Sequence, residues 1–478
     1  MGSVVHLPLP IFLCHKTVPD KSRFLLFMTK LPRAFLAVTL LTLFQAGCAN
    51  VRTTEEKTAR RSLADIEATY RPQGKKPELP VLTAASTPAD YLRFALLNHP
   101  RVEATYYDWR SAVAAIAPAR ALPDPQLTFQ ADITDTIMSL MPGLMFDVMA
   151  SGKRAAMGRE ASIASENAYR VYAVTLVSTT AELRKAWVEL AYIDEAVAIR
   201  HQMAGVLDQA LSAAQADYAT GRGMGTLEEQ TKVLNAAAKL KSDLAVFADR
   251  QLAARARFKA ALGLSREVAD PVWPSMPWPL APLPSEDELW NQALAANPSL
   301  AVMRTMVNMA IAQVQIARTS KIPDFTAGLM VDTKQNPLMF RPTATATLPI
   351  WRGKIKAAIE SAEARTLAAQ ARLSAEQVGM AAELAQMLFM IRETDRMLAY
   401  IDSAALPNIT NALRSAEGAY GTGMGGFAPL AELRLMELSM RLERVDTRRE
   451  RELAVAELAS FVASDLPADA HLTTSNYR

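Results

Sequence analysis

The sequence predicts a mostly α-helical chain with a small β part: long helical hairpins built twice over, and four short amphipathic strands. Three observations carry that expectation. An Ala-rich run from about Ala155 to Tyr218 keeps a seven-residue apolar spacing. Two pairs of short segments alternate apolar and polar residues. The same order of landmarks occurs twice along the chain.

In the Ala-rich run, Leu183, Leu190, Val197, Ala204, Leu211 and Tyr218 fall seven apart. Ala186, Ile193, Leu207 and Ala214 supply most of a second apolar line, interrupted by Arg200. A sustained heptad spacing marks helices packed side by side along their length. No proline intervenes before Thr220-Gly221-Arg222-Gly223-Met224-Gly225, so nothing local ends the helix early. Its length is roughly 95 Å, about three times the hydrocarbon thickness of a bilayer. Glu182, Arg184, Lys185, Glu189, Asp194 and Glu195 make it too polar to span one, and it reads as a water-facing strut.

The chain has 478 residues and a formal charge of +3, without a basic block, which argues against nucleic acid as a partner. Alanine carries much of the apolar share and suits packed helices better than one thick core. Met28 to Arg33 is a basic n-region and Ala34 to Phe44 a short h-region, leading into Gln45-Ala46-Gly47-Cys48. This looks like a lipoprotein signal with Cys48 as the lipidated first residue, although the pattern prefers Leu at Gln45. Ala49 follows; in the bacterial sorting rule this resembles, an Asp there would retain the protein in the inner membrane. Residues before Met28 resemble no targeting segment, so Met28 is the expected start. The mature chain then has one cysteine, too few for a disulfide framework or a cysteine-ligated metal cage.

The expected organisation is a signal region over 1–47, an N-terminal polar leader over 48–87 and a first repeat over 88–265. A Pro-rich connector over 266–285, a second repeat over 286–462 and a tail over 463–478 complete it. In the first repeat, helices at Asp90–Leu97 and about Val102–Arg120 precede Pro123-Asp124-Pro125. Gln126 to Ile133 alternates strictly, with Leu127, Phe129, Ala131 and Ile133 on one face. A loop containing Pro142-Gly143 then leads to a weaker strand, Leu144–Met149. Ser151-Gly152-Lys153-Arg154 opens the long helix, and Leu227–Leu262 returns as a second.

The second repeat restates this plan: Asn297-Pro298 answers His99-Pro100, Pro323-Asp324 answers Pro123-Asp124, Gly353-Lys354 answers Gly152-Lys153, and Tyr420 to Gly423 answers Tyr218 to Gly221. The offset grows only from 198 to 202. Its strands alternate Phe325, Ala327, Leu329 and Val331 with polar or small residues, and Thr343, Thr345 and Thr347 with Ala344, Ala346 and Leu348. Such strands suit a transmembrane barrel, apolar side to lipid and polar side to the lumen. Four cannot close one, since about eight are needed, and open edges are forbidden in lipid. Several chains must then share the barrel.

These features resemble the TolC family of outer-membrane efflux proteins over roughly residues 88 to 462. The motifs that carry the resemblance are Leu122-Pro123-Asp124-Pro125-Gln126-Leu127, Leu348-Pro349-Ile350-Trp351-Arg352-Gly353-Lys354 and Ala419-Tyr420-Gly421-Thr422-Gly423, in the duplicated order. The resemblance implies a homotrimer in the bacterial outer membrane, with a shared twelve-stranded barrel and a long periplasmic extension, an α-barrel tunnel formed by the hairpins. It also implies a periplasmic adaptor (membrane fusion protein), an inner-membrane pump of the RND type, and contact with outer-membrane lipid. Gly353-Lys354 and Cys48 look most like the heavy-metal branch, CusC- and CzcC-like. Cargo on this reading is heavy-metal ions or small toxic compounds. A non-pore periplasmic coiled-coil adaptor or scaffold and a type I protein secretion duct are the alternatives.

In the resemblance, the turns at Gly221, Gly223, Met224 and Gly225 and at Gly423, Met424 and Gly425 are periplasmic tips where the adaptor docks. Met224 and Met424 read as adaptable apolar contacts, with a thioether path for Cu(I) or Ag(I) as the sharper alternative. Asp217, Glu417 and Glu432 are candidate entrance carboxylates, alongside Glu228 and Glu229, each weighed against a solvated helix face. Pro429 stands where the family's aspartate is expected. Met138, Met141, Met145 and Met149 read as loop-tip and barrel packing rather than metal capture. Gly152-Lys153 and Gly353-Lys354 are bends at the membrane rim, not phosphate loops, because Asp147 and Leu348 stand where the Walker pattern needs glycine. The five histidines are scattered, and no catalytic constellation or cofactor motif appears; the chain is not expected to be an enzyme.

Overall fold

The computed structural model describes residues 53–133, 137–150, 152–220, 227–274, 278, 282–333 and 339–464, without the side chains of 132, 133, 137–139, 217, 218, 220 and 229. Of two compact units, Met1–Thr53 and Thr54–Arg478, the first contributes only Thr53 to these residues. Cys48 and the whole signal region lie outside them, as do residues 465–478.

Within Thr54–Arg478 the elements run α1 (Thr54–Tyr70), α2 (Pro88–Asn98), α3 (Pro100–Arg120), β1 (Gln126–Ile133), β2 (Ile137–Val148), α4 (Lys153–Thr220) and α5 (Leu227–Ala261). The plan then repeats as α6 (Glu286–Ala296), α7 (Pro298–Thr319), β3 (Asp324–Asp332), β4 (Met339–Thr347), α8 (Arg352–Tyr400), α9 (Leu406–Gly421) and α10 (Phe427–Phe461). The mostly α fold with a four-stranded antiparallel sheet matches the sequence expectation.

The 68-residue α4 is the spine. Its first half lies between α3 and α7: Glu182 pairs with Arg101 at 2.8 Å, and Asn167 accepts from Thr305 at 2.8 Å. Its second half lies between α5 and α10, where Glu189 accepts from Arg250 and Glu195 from Arg448. Leu183, Leu190 and Ile193 are buried in the seam, as the heptad spacing demands. Arg200, the residue out of pattern, lays its guanidinium over the Phe247 ring of α5 at 3.7 Å, so a charge in the apolar line becomes a cation–π contact. Helix α8 closes the far side of the layer through Arg318–Glu363 to α7 and Arg451–Asp395 to α10. Helix α7 is long and apolar enough to cross a membrane, but it packs between α4 and α8 as part of this layer.

The duplication reaches single side chains. Asn98 donates to the carbonyls of Leu262 and Gly263, and Asn297 donates to that of Phe461. Each asparagine thus ties the start of its repeat to the end of the returning helix. In the connector, Trp278 packs edge-on against Trp187 at 5.5 Å and Trp273 lies 6.0 Å from Phe258. Aromatic burial therefore holds the proline-rich segment to α4 and α5.

Three findings differ from the sequence reading. The polar leader contains α1, whose Ala59, Ser62, Ile66 and Tyr70 are buried against α3 and α4 at helical spacing. Pro142-Gly143 is not a loop: β2 runs through it and is twelve residues long. Pro142 pairs with Phe129 on β1, while the β2–β3 ladder begins one residue later at Gly143–Met330. The proline sits where β2 has a single neighbour, so its missing N–H leaves no ladder bond unmade. The two Gly-Lys pairs are also inequivalent. Gly152 takes φ +82° between β2 and α4, whereas Gly353 is the second residue of α8.

A π-turn at Ile401–Ala405 joins α8 to α9, with the Leu406 N–H bonded to the Ile401 carbonyl. Pro407 follows directly and has no N–H to continue the α-helical ladder. Asp402, in this turn, pairs with Arg444 of α10 at 2.7 Å.

Glu56 of α1 is fully buried and accepts from Arg120 at 2.5 Å and from Arg60 at 2.8 Å. Burial alone would raise its pKa, but the two guanidiniums outweigh it and hold the carboxyl below its ordinary 4.5. Breaking such a buried pair costs about 3–5 kcal/mol. Glu56→Ala should therefore speed tryptic cleavage at Lys57, Arg60 and Arg61 by at least roughly a hundredfold if α1 opens locally. The contribution is complete above the unfolded carboxylate pKa and is lost as pH falls through the lowered folded value. Peptic cleavage within α1 should rise steeply below about pH 4.5 in the native chain and flatten with pH in Glu56→Gln.

Candidate functional site: a two-faced sheet and a pair of hairpin tips

The pairing register sorts the sheet into two faces. Leu127, Leu144 and Leu329 lie in one cross-strand row, with Val148 and Phe325 in another. Phe340 lies opposite Val331 on the same face. This face is exposed: Leu127 by 62%, Phe129 by 66% and Phe340 by 60%. An apolar patch of this kind on a chain in water is unusual and marks a surface meant for lipid or protein.

The opposite face carries polar pairs at both ends, near the helices and at the β3–β4 loop. Thr326 donates to Asp147 at 2.7 Å, and Arg341 pairs with Asp332 at 3.0 Å. Where β3 begins, Asp324 accepts from Lys153 Nζ and from the Ala150 N–H, both at 2.7 Å. Lys153 thereby ties the start of α4 to the start of β3. Lys354 is exposed in the first turn of α8, beside exposed Leu348, Ile350 and Trp351. The sheet order is β1-β2-β3-β4, every pair antiparallel. Strands β1 and β4 each have one neighbour and leave one edge open.

At the other end of the struts, the second tip follows α9. Gly423 takes φ +72°, and the N–H groups of Met424 and Gly425 both bond to the Ala419 carbonyl at 3.0 Å. A left-handed residue just past a helix end satisfies its last carbonyls in this way. Met424 is 84% exposed at the apex, while Tyr420 and Phe427 meet edge-on at 5.7 Å beneath it. The first tip, with Gly221, Gly223, Met224 and Gly225, lies outside the described residues, as do the side chains of Asp217 and Glu229. Glu417 accepts from Arg434 at 2.8 Å, tying α9 to α10, so this carboxylate is already partnered within its own hairpin. Glu432 stands exposed one turn into α10, and Glu228 pairs with Lys232 on α5.

Sequence reasoning missed Arg434, the Asp402–Arg444 pair and the Glu56–Arg120 pair. The first two could have been sought as arginines on the polar side of α10. The third joins residues 64 apart and carries no local signal.

Residues 289–464 match the family model described as outer membrane efflux protein, a transport family rather than an enzyme family. No curated protein matches the sequence. Among solved structures, the chain is 16% identical to the outer membrane protein VceC from Vibrio cholerae, covering 78% of this chain and 95% of VceC at a TM-score of 0.64. It is 14% identical to the open state of the MtrE outer membrane channel of Neisseria gonorrhoeae, covering 84% and 100% at a TM-score of 0.66. For CusC the figures are 13% identity, 81% and 98% coverage and a TM-score of 0.65. At these identities the likeness is one of fold, and the fold is that of these channels. The resemblance to the TolC family is borne out by the matched segment and by this architecture.

Nothing lies within 4 Å of a Cβ built on Gly423, so a substitution there meets backbone strain alone. Gly423→Ala should destabilise the tip by about 1–2 kcal/mol. Hydrogen exchange should report this as faster opening of Tyr420–Phe427, with the sheet unaffected.

Proposed function

We propose that this chain, carrying the outer membrane efflux protein pattern over residues 289–464 and the fold of such channels over most of its length, is the outer-membrane channel component of a tripartite efflux system. It is a passive exit duct, working with a periplasmic adaptor and an inner-membrane pump of the RND type. The observation that carries this reading is the open-edged, two-faced sheet. An unpaired backbone group in lipid costs several kcal/mol, and four strands fall short of the roughly eight that close a barrel. Strands β1 and β4 run in opposite directions, so β4 of one copy beside β1 of the next continues the antiparallel order. Three copies would share one barrel, apolar face to lipid and polar face to the lumen.

The helical flanks fit the same assembly. Leu367, Val378 and Phe389 on α8, and Leu234, Val246 and Leu252 on α5, are exposed at opposite ends of the helical layer. Neighbouring copies would cover them and close a tunnel below the barrel. The exposed Met424 suits an adaptor-docking tip, with the first tip as its counterpart, and Asp217, Glu417 and Glu432 lie near the same end. A narrower place in the heavy-metal branch rests on Gly353-Lys354 and Cys48; the likeness to CusC is comparable to that to VceC and MtrE.

The purified full chain should run as a heat-modifiable oligomer and conduct ions in planar bilayers. A soluble monomer that conducts nothing would overturn the channel reading. Separately, Cys48→Ser should abolish metabolic labelling by an alkyne fatty acid while leaving single-channel conductance unchanged.

A further inference from the structure

The polar face of the sheet carries a feature that a water-filled duct does not require. Met141 and Met145 sit on β2, Met330 on β3 and Met339 on β4, all on that face. Met330 lies directly opposite Gly143, and Met145 directly opposite Gly328. The glycines make room for them. The Met330 Cγ lies 2.6 Å from where a Cβ on Gly143 would sit, and the Met145 Cγ lies 2.8 Å from the equivalent point on Gly328. Met330 therefore reaches across β2 between Met141 and Met145, its two diagonal neighbours, and Met339 is its diagonal neighbour on β4. Diagonal positions are about 7–8 Å apart at Cα, within reach of side chains of this length.

Met141 is buried, while Met145 and Met330 are half-buried, leaving the group reachable from one side. Among the described side chains the flanking charges are already partnered: Asp332 and Arg341 with each other at 3.0 Å, and Asp147 with Thr326 at 2.7 Å. Thioethers select soft d¹⁰ cations over the hard cations that prefer oxygen. We propose that Met141, Met145 and Met330, supported by Met339, bind a soft monovalent cation of the Cu(I) or Ag(I) class on the polar face of the sheet. The site is built within one chain. That ions meet it in transit rests on the channel reading, which conductance tests independently.

The probe is Ag⁺, which needs no reductant, titrated in a chloride-free buffer into the detergent-solubilised full chain carrying ¹³C-methyl methionine. The expected result is saturable binding that shifts the methyl signals of Met145 and Met330 before that of Met424. In Met145→Leu/Met330→Leu, which preserves apolar volume, affinity should fall at least about tenfold, whereas Met424→Leu leaves it unchanged. Methyl signals of Met145 and Met330 that stay still in the native chain while Met424 shifts would overturn the proposal without recourse to any variant. Unchanged affinity in a folded double variant would overturn it as well.

Discussion

The open edges of the β1-β2-β3-β4 sheet constrain everything else in this chain. Each edge presents backbone donors and acceptors that water can satisfy and lipid cannot. The sheet also exposes an apolar face that water disfavours. Neither environment suits the isolated sheet, and on the proposed channel reading the conflict is resolved when edges of neighbouring copies meet. The antiparallel order with an even number of strands makes that repetition self-consistent, because the last strand runs opposite to the first.

The helices transmit that constraint over a distance no compact domain reaches. Helix α4 is the element common to both halves of the layer, and alanine lets its neighbours approach closely along it. Arg101, Arg250 and Arg448 then pair across its seams. Such partly exposed pairs are individually worth little; their value lies in fixing the sliding register of long apolar seams that would otherwise tolerate displacement. Lys153 and Asp324 couple this layer to the sheet. The π-turn before Pro407, bracketed by Asp402–Arg444, is the one place among the described residues where a long strut departs from α-helical bonding. Local departures of this kind often mark hinges, and this one separates the upper strut from the tip hairpin.

Much of this was legible in the sequence because it is written in local periodicity. The heptad of Leu183, Leu190 and Val197 located the spine, and the alternation of Gln126–Ile133 and Phe325–Val331 located strands and their faces. Repeated landmarks showed the duplication. The rest was hidden where a residue's usual meaning is overridden by its partners. Pro142-Gly143 reads as a turn in isolation, yet it is strand because Phe129 and Met330 pair with it. Met141 reads as a loop residue for the same reason. The segment of helix α1 reads as a polar leader because its single apolar stripe, Ala59, Ile66 and Tyr70, is diluted by charge.

The amino-acid sequence by itself determined the helix and strand periods, the two faces of each strand and the twofold plan, since these depend on spacing within a few residues. Only the tertiary structure decided that Glu417 is tied to Arg434, that Glu56 is buried on Arg120, and that Met330 and Met145 each lie over a glycine of the neighbouring strand. Those arrangements join residues from 17 to 187 positions apart, and nothing in local spacing records which distant side chains a register brings face to face.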